Sequence, residues 1–359
     1  MNKARFEARR ERLRAAMHQR GLDALFVIHD ANRFYLSGFE LHDAQLNESA
    51  GYLLVMADGK DWLFTDSRYL DAARRLWDND RIFIYGPDAP AQINEMLRDR
   101  VKGKLGFEAR AITLAFYEKF SQGLTLERAD GIVEELRIIK EPEEIALMER
   151  SCKLNHQLME WVPTVLLPGR TEGEISWDIE KFFRQHGASE LSFTNIVAMG
   201  PNAALPHYRP EGMGGATLTE NCPVLVDVGA RLDMYCSDQT RTFWVGDKPA
   251  SYFLAALEQV RTAQRKAIEA MRPGMKVCDA YKTARAHFEA EGVEAAFTHA
   301  LGHGIGLETH EPPSLNARNE AVLKPGMIVT VEPGLYYPSW GGIRWEYMVL
   351  VTEDGVRTL

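Results

Sequence analysis

Cysteine is scarce in this chain, and the four present, Cys152, Cys222, Cys236 and Cys278, show no C-x-x-C spacing, which argues against both a zinc–thiolate site and a disulfide framework. They are expected to be reduced core residues. Long apolar runs are also missing, as is the apolar stretch of a secretory signal, so neither a bilayer span nor export is expected and a cytoplasmic address follows. Excess positive charge is absent: 42 Lys and Arg against 51 Asp and Glu leave a formal net charge of -9. That leaves no electrostatic footprint for nucleic acid or an anionic membrane. Only the N-terminal helix is strongly basic, with Lys3, Arg5, Arg9, Arg10, Arg12 and Arg14 interleaved with Glu7 and Glu11, and it reads as a solvated helix face. No internal repeat or low-complexity segment is present.

What is there suffices for a large core and about two domains, since the chain has 359 residues. Residues 3–20 carry Phe6, Leu13, Ala16 and Met17 at helical spacing, and Gly21 supplies a stop. Strands are expected at 22–28, 51–56, 62–65, 82–85 and 104–108, with Asp58-Gly59 as a hairpin signal between the second and third. A short helical turn at 32–36, a helix capped by Asp66 and running to about 77, and another at 89–100 alternate with them. This alternation predicts an α/β domain over residues 1–138. The 39–49 stretch reads as a long exposed loop. The remainder, 139–359, opens with a helix from Pro142 to about 162, favoured by Glu143 and Glu144 in its first turn. Thr171 and Glu174 make a capping box for a second helix, to about 185. From 193 onward the pattern is strand-rich, interrupted by helices at about 251–271 and 277–290. Helices first and strands later suggest an α+β domain.

Residues 298–310 concentrate His299, His303 and His310 with glycines at 302, 304 and 306. Glycine here permits unusual conformations or a close approach of backbone to another group, and a regular helix through the run is not expected. His299 and His303 have the spacing of H-E-x-x-H, but Ala300 stands where that motif needs its glutamate. Two acidic pairs accompany the histidines. A two-residue turn at Leu232-Asp233 would set Asp227 directly opposite Asp238, and a loop centred on Ser339 would set Glu332 opposite Glu346. Like charges so placed are destabilising without something positive nearby. A protonated carboxylate or a buried partner such as Arg241 would serve, and so would metal ions. Four carboxylates and one neutral imidazole form an oxygen-rich ligand set for two divalent ions, suited to Mn²⁺, Co²⁺ or Zn²⁺ in a reactive site.

The order Asp227, Asp238, His303, Glu332, Glu346, with Leu205-Pro206-His207 upstream and the Gly-His-Gly-Ile-Gly-Leu-Glu-Thr-His run ending at His310, resembles the proline-specific metallopeptidases, aminopeptidase P and prolidase. The N-terminal half is similar too, through Gly21-Leu-Asp-Ala-Leu25 and Tyr35-Leu-Ser-Gly-Phe39, so the resemblance spans nearly the whole chain. It implies an α/β N-terminal domain of creatinase/prolidase type and a pita-bread catalytic domain like that of methionine aminopeptidase. It further implies Asp227 as a bidentate ligand of one ion, Asp238 and Glu346 as bridges, and His303 and Glu332 as ligands of the other. His207 and His310 become substrate-side donors, Glu332 a proton shuttle, and His299 a structural residue. Mn²⁺ is the first expectation for the two ions per chain, with Co²⁺ or Zn²⁺ as alternatives. The implied partners are small peptides with proline at the second position, and a homodimer is expected, its N-terminal domain helping to wall the site. Removal of the first residue from Xaa-Pro peptides longer than two is favoured over Xaa-Pro dipeptidase activity, because the matched motifs hold no obvious cation for a dipeptide's carboxylate, Arg209 excepted. Another C–N hydrolase or a non-catalytic peptide-binding protein are the rival readings. One departure stands out: the family usually reads Arg-Ile-Glu-Asp where this chain has Arg344-Trp345-Glu346-Tyr347.

Overall fold

Gly21, at φ 64°, ends the first helix, α1 (Lys3–Gln19), and turns the chain into the central strand of its first sheet. The computed structural model describes residues 3–43, 48–210 and 212–359. The chain divides into two compact units, Met1–Arg137 and Ile138–Leu359. In the first, β1 (Ala24–Val27), α2 (Asp30–Ser37), β2 (Gly51–Met56), β3 (Trp62–Thr65), α3 (Leu70–Leu76), β4 (Ile82–Ile84), α4 (Ala89–Arg100), β5 (Lys104–Phe107), α5 (Leu114–Phe120), β6 (Thr125–Arg128) and α6 (Glu134–Ile138, which runs one residue past the unit boundary) follow in order. Among the described residues they form one mixed sheet in the order β4-β3-β2-β1-β5-β6. Ile93, Met96, Leu97 and Phe120 of α4 and α5 pack on Phe26, Leu54, Phe64 and Leu105 of the strands. The α/β pattern predicted from periodicity is present.

Two local expectations need correction. Arg9 and Arg10 of α1 are not part of a solvated face, being 1% and 8% exposed, whereas Lys3 and Arg12 are exposed as expected. Arg9 lies 3.9 Å over the Tyr35 ring and donates to Tyr35 O, while Arg10 stacks on Trp77 and shares Asp61 with Arg14 at 2.8 and 2.5 Å. Their methylene stems bury apolar area while paired heads keep their charge, which a helical wheel cannot register. The 39–49 stretch is not uniformly exposed either, since Phe39 and Leu41 are buried; residues 44–47 lie outside the described residues. The cysteines are all free; Cys152, Cys236 and Cys278 are buried, and Cys222 is half-buried.

The second unit begins at α7 (Pro142–Trp161), whose start combines Pro142 at N1 with a Glu141/Glu144 capping box, and α8 (Glu172–Gln185), which has the Thr171/Glu174 box. Then come β7 (Glu190–Leu191), β8 (Ile196–Met199), β9 (Cys222–Val228), β10 (Ala230–Leu232), β11 (Tyr235–Cys236), β12 (Gln239–Val245), α9 (Ser251–Ala270) and α10 (Val277–Ala290). The last strands are β13 (His303–Gly304), β14 (Glu311–Ser314), β15 (Ile328–Val331), β16 (Gly334–Tyr337), β17 (Gly341–Arg344), β18 (Tyr347–Val351) and β19 (Val356–Thr358). Strands run β12-β9-β8 in one sheet and β14-β13-β15-β18-β19 in another.

Period-two alternation decides what faces what. Val224, Val226 and Val228 of β9 join the core with α7 and α8, whereas Val329, Val331, Val349 and Val351 join the core with α9 and α10. Residues of opposite parity, Asp227 on β9 and Thr330 on β15, therefore face away from the helices. Asp227 lies on one such face, and Glu332, one residue past β15, has the parity of Thr330. No helix among the described residues is long and apolar enough to cross a membrane.

Candidate metal centre

The first acidic hairpin departs from its predicted register. The turn is at Asp233-Met234, both with positive φ (49° and 74°), closing between Leu232 and Tyr235. Asp227 is consequently opposite Thr240, and Asp238 lies two residues before Thr240. A slip of one residue would have sent the two carboxylates to opposite faces, but a slip of two keeps them on the same one. The second hairpin has the predicted register. Tyr337 pairs with Gly341 around Ser339, and Val331 pairs with Tyr347. Glu332 and Glu346 fall across from each other, in the interruption where the hairpin passes between two sheets.

Gly302, Gly304 and Gly306 serve close approach, not unusual φ. A Cβ would lie 2.0 Å from Thr330 O at the first, 2.2 Å from Pro312 O at the second and 2.7 Å from Glu311 Oε2 at the third. His303 is thereby held in a strand, with its backbone N–H donating to Thr330 Oγ1 at 3.0 Å. Its Nδ1 lies 2.9 Å from its neighbour's carbonyl, Gly304 O, and since a carbonyl can only accept, Nδ1 carries the hydrogen and Nε2 is left to face the carboxylates.

There Asp238, His303 and Glu346 each present one ligand atom, all within 4.8 Å of one another. His303 Nε2 is 3.3 Å from Glu332 Oε1 and 3.7 Å from Asp238 Oδ2. Burial opposes charge on His303, but the hydrogen bond and the field of Glu332 win and raise it to about 9. Glu332 is likewise penalised by burial, yet His303 draws it down to about 2. For Asp238 and Glu346 such relief is too small: burial first, and then the neighbouring carboxylates, push both well above the ordinary range, outweighing Arg344 near the one and His303 and Thr240 near the other. Asp227 Oδ1 and Glu346 Oε1 are buried without a hydrogen-bond partner among the described residues. Buried acceptors with no donor, in a cluster short of positive charge, are what divalent cations satisfy, so these residues fit a metal centre.

The partner of Asp227 is Arg344, not Arg241. Arg344 Nη2 donates to Asp227 Oδ2 at 2.6 Å, Nε to Thr240 Oγ1 at 3.0 Å, and Nη1 to Tyr336 Oη at 2.8 Å. Thr240 in turn donates to Glu346 Oε2 at 2.8 Å. Arg241 instead donates to Glu346 O and Thr240 O, and its guanidinium lies 4.5 Å from the Trp345 ring and 4.3 Å from that of Tyr347. The two residues that depart from the family pattern thus flank an arginine behind Glu346 and do not line the cavity. Thr240 and Tyr336 were not singled out from the sequence. Thr240 becomes the register partner of Asp227 only with the turn at Asp233-Met234; Tyr336 left no local signal.

In front of the cluster is a cavity of about 330 Å³ whose walls include Asp227, Asp238, His303, Glu332, His207, Arg209 and His310. The His310 ring centroid is 4.3 Å from that of His303, and burial, then the charge on His303, lower its pKa. His299, half-buried, also lines the cavity; its Nδ1 faces Ala300 O and its Nε2 is 2.9 Å from Tyr336 Oη, a structural tie.

Comparison with known proteins gives the family. Residues 146–353 match metallopeptidase family M24, and residues 9–139 match the creatinase/prolidase N-terminal domain. The chain is 31% identical over 355 residues to the Xaa-Pro dipeptidase of Pyrococcus furiosus, covering 98% of this chain and 97% of that one. Among solved structures, an Xaa-Pro dipeptidase from Bacillus anthracis superposes with a TM-score of 0.90 at 31% identity, covering 98% and 97% of the two chains. An X-Pro aminopeptidase from Thermotoga maritima gives 0.83 at 27%, covering 96% and 97%. With a creatinase-type α/β domain followed by a pita-bread catalytic domain that holds this acidic cluster, the chain belongs to metallopeptidase family M24.

Proposed function

We propose that this protein is a dinuclear-metal peptidase that hydrolyses the Xaa-Pro bond, with Xaa-Pro dipeptides as its main substrates. The observation that carries the reading is the buried convergence of Asp238, His303 and Glu346, flanked by Asp227 and Glu332, with two carboxylate oxygens lacking donors. Asp227, Asp238, His303, Glu332 and Glu346 would hold two divalent ions, Mn²⁺ first among the candidates. What such ions supply is Lewis acidity, toward a carbonyl and toward water, near neutral pH. Arg344 and Thr240 orient Asp227 and Glu346 for that task. Glu332, ionised at neutral pH, is placed to take a proton and deliver it to the leaving nitrogen. His310, its pKa lowered by burial, is a neutral N–H donor toward charge developing on the carbonyl oxygen, and His207 serves the same wall. The scissile bond of an Xaa-Pro peptide lacks an N–H, so recognition must come from the ring and the chain ends.

The preference for dipeptides over longer peptides reverses the expectation from the motifs alone. It is supported by the dipeptidase names of the relatives, by a cavity at the small end of ligand pockets, and by Arg209, a wall cation with no ion-pair partner among the described residues. The aminopeptidase alternative rests on the Thermotoga likeness. A homodimer is part of the proposal, checked by light scattering. The deciding experiment compares turnover of Xaa-Pro, Xaa-Pro-Yaa and Xaa-Ala peptides after chelation and after return of Mn²⁺, Co²⁺ or Zn²⁺. Metal-dependent cleavage of Xaa-Pro at least tenfold faster than of Xaa-Pro-Yaa is expected; undiminished activity in a verified metal-free preparation would sink the reading.

A further inference from the structure

His207 and Arg209 line the cavity, but the residue between them does not. Tyr208 packs on Ile196, Ala198 and Leu225, and its hydroxyl donates to Glu172 Oε2 at 2.7 Å while accepting from Asn202 Nδ2 at 3.0 Å. Glu172, the first residue of α8, is fully buried. Its carboxylate accepts from Met199 N at 2.7 Å, Asn202 Nδ2 at 2.9 Å, Tyr208 Oη at 2.7 Å and Ala216 N at 2.7 Å. No cation is among these partners. Charge-assisted hydrogen bonds are what keep a buried carboxylate stable, and every donor comes from residues 199–216, the segment that carries His207 and Arg209. Gly215 completes the enclosure: its φ is +93°, and a Cβ there would lie 2.3 Å from Glu172 Oε2.

We propose that Glu172 and Tyr208 are positioning residues of the peptidase. The buried carboxylate clasps the 199–216 segment from behind, and alternation along the chain then turns His207 and Arg209 into the cavity, where Arg209 holds the carboxylate of the substrate's proline end. The inference rests on the Xaa-Pro reading above. Neither residue touches the acidic cluster, so the clasp sets substrate affinity without setting metal content. A carboxylate partner is bound alike in ground and transition states, so its misplacement raises KM more than it lowers kcat.

The test uses Tyr208→Phe, which deletes one hydrogen bond and keeps the ring, and Glu172→Gln, whose amide would turn donors toward donors. For the dipeptide, KM is expected to rise about tenfold in the first and more in the second, because small displacements of a binding group are costly. Bound metal per chain should stay unchanged in both, while in the first kcat falls by less than KM rises, its fall reporting the displaced His207. Amide exchange of the metal-free protein over residues 199–210 should accelerate in Glu172→Gln, with α9 and α10 unaffected. An unchanged KM, or a fall in kcat/KM that tracks loss of metal in Tyr208→Phe, overturns the proposal. So does unaltered exchange over 199–210. If the wild type fails to cleave Xaa-Pro, the functional reading fails by itself; the exchange result and the KM comparison on whichever peptide is cleaved still decide the clasp.

Discussion

Replacing Asp238 by Asn should have opposite consequences with and without metal. In the metal-free protein the Asp238 and Glu346 ligand atoms lie within 4.8 Å of each other, and at an effective dielectric of about 20 their repulsion is about 3.5 kcal/mol. Asp227 and Glu332 add further repulsion, while Arg344 and, at 3.7 Å, His303 offset part of it. Desolvating a carboxylate that is 5% exposed costs several kcal/mol more. The raised pKa of Asp238 gives the sign: its charge is a net liability in the metal-free fold. An amide removes that liability and can donate to the partnerless Oε1 of Glu346. Chelated Asp238→Asn should therefore be about 2 kcal/mol more stable than chelated wild type, a rise in Tm of about 4–8 °C. With metal the order inverts. A thousandfold excess of ion over Kd stabilises a competent site by about 4 kcal/mol, and the variant should forfeit most of this along with turnover. Thermal melts of both proteins in chelator and in Mn²⁺, with metal content measured, are the assay. A chelated variant that melts below wild type, or one that still binds two ions, would refute the reasoning.

Further outcomes follow from the same geometry. His310→Ala should keep its metal and lose about 10²- to 10³-fold in kcat, as for loss of a transition-state donor; an emptied site or an unchanged kcat would reassign the residue. The metal-free protein should lose stability as pH rises from about 6 to 9. The raised folded pKa of His303 contributes stability present below its unfolded value of 6.5 and lost through about 9, and the raised values of Asp238 and Glu346 make their ionisation unfavourable in the same direction. Melts in chelator across that range check it, and a rising Tm contradicts it. Gly304→Ala should unfold the site, because its Cβ would lie 2.2 Å from a backbone carbonyl that cannot swing aside; a variant with normal metal content and Tm would show that the strand can shift.

The sequence by itself determined those features whose interactions are local. Gly21 and the Thr171/Glu174 box mark helix ends through hydrogen bonds that span three or four residues. Alternation along β9 and β15 gave Asp227 and Glu332 the parity that faces away from the helices, and the loop around Ser339 set Glu332 across from Glu346 through backbone pairing alone. The carboxylates of the first hairpin reached one face even though the turn was misplaced, because an error of two residues preserves parity. The tertiary structure decided the rest. Which arginine serves Asp227 depends on a strand 117 residues away, and Arg241, nearer in sequence, is drawn off by Trp345 and Tyr347. The burial of Arg9 and Arg10 against Tyr35 and Trp77, and the gathering of four donors onto Glu172, are contacts of the same kind. Closing a long loop costs little more than closing a short one, so separation along the chain hardly discriminates among partners for a charge. The choice falls to packing, where shape and burial admit one arginine and exclude the other.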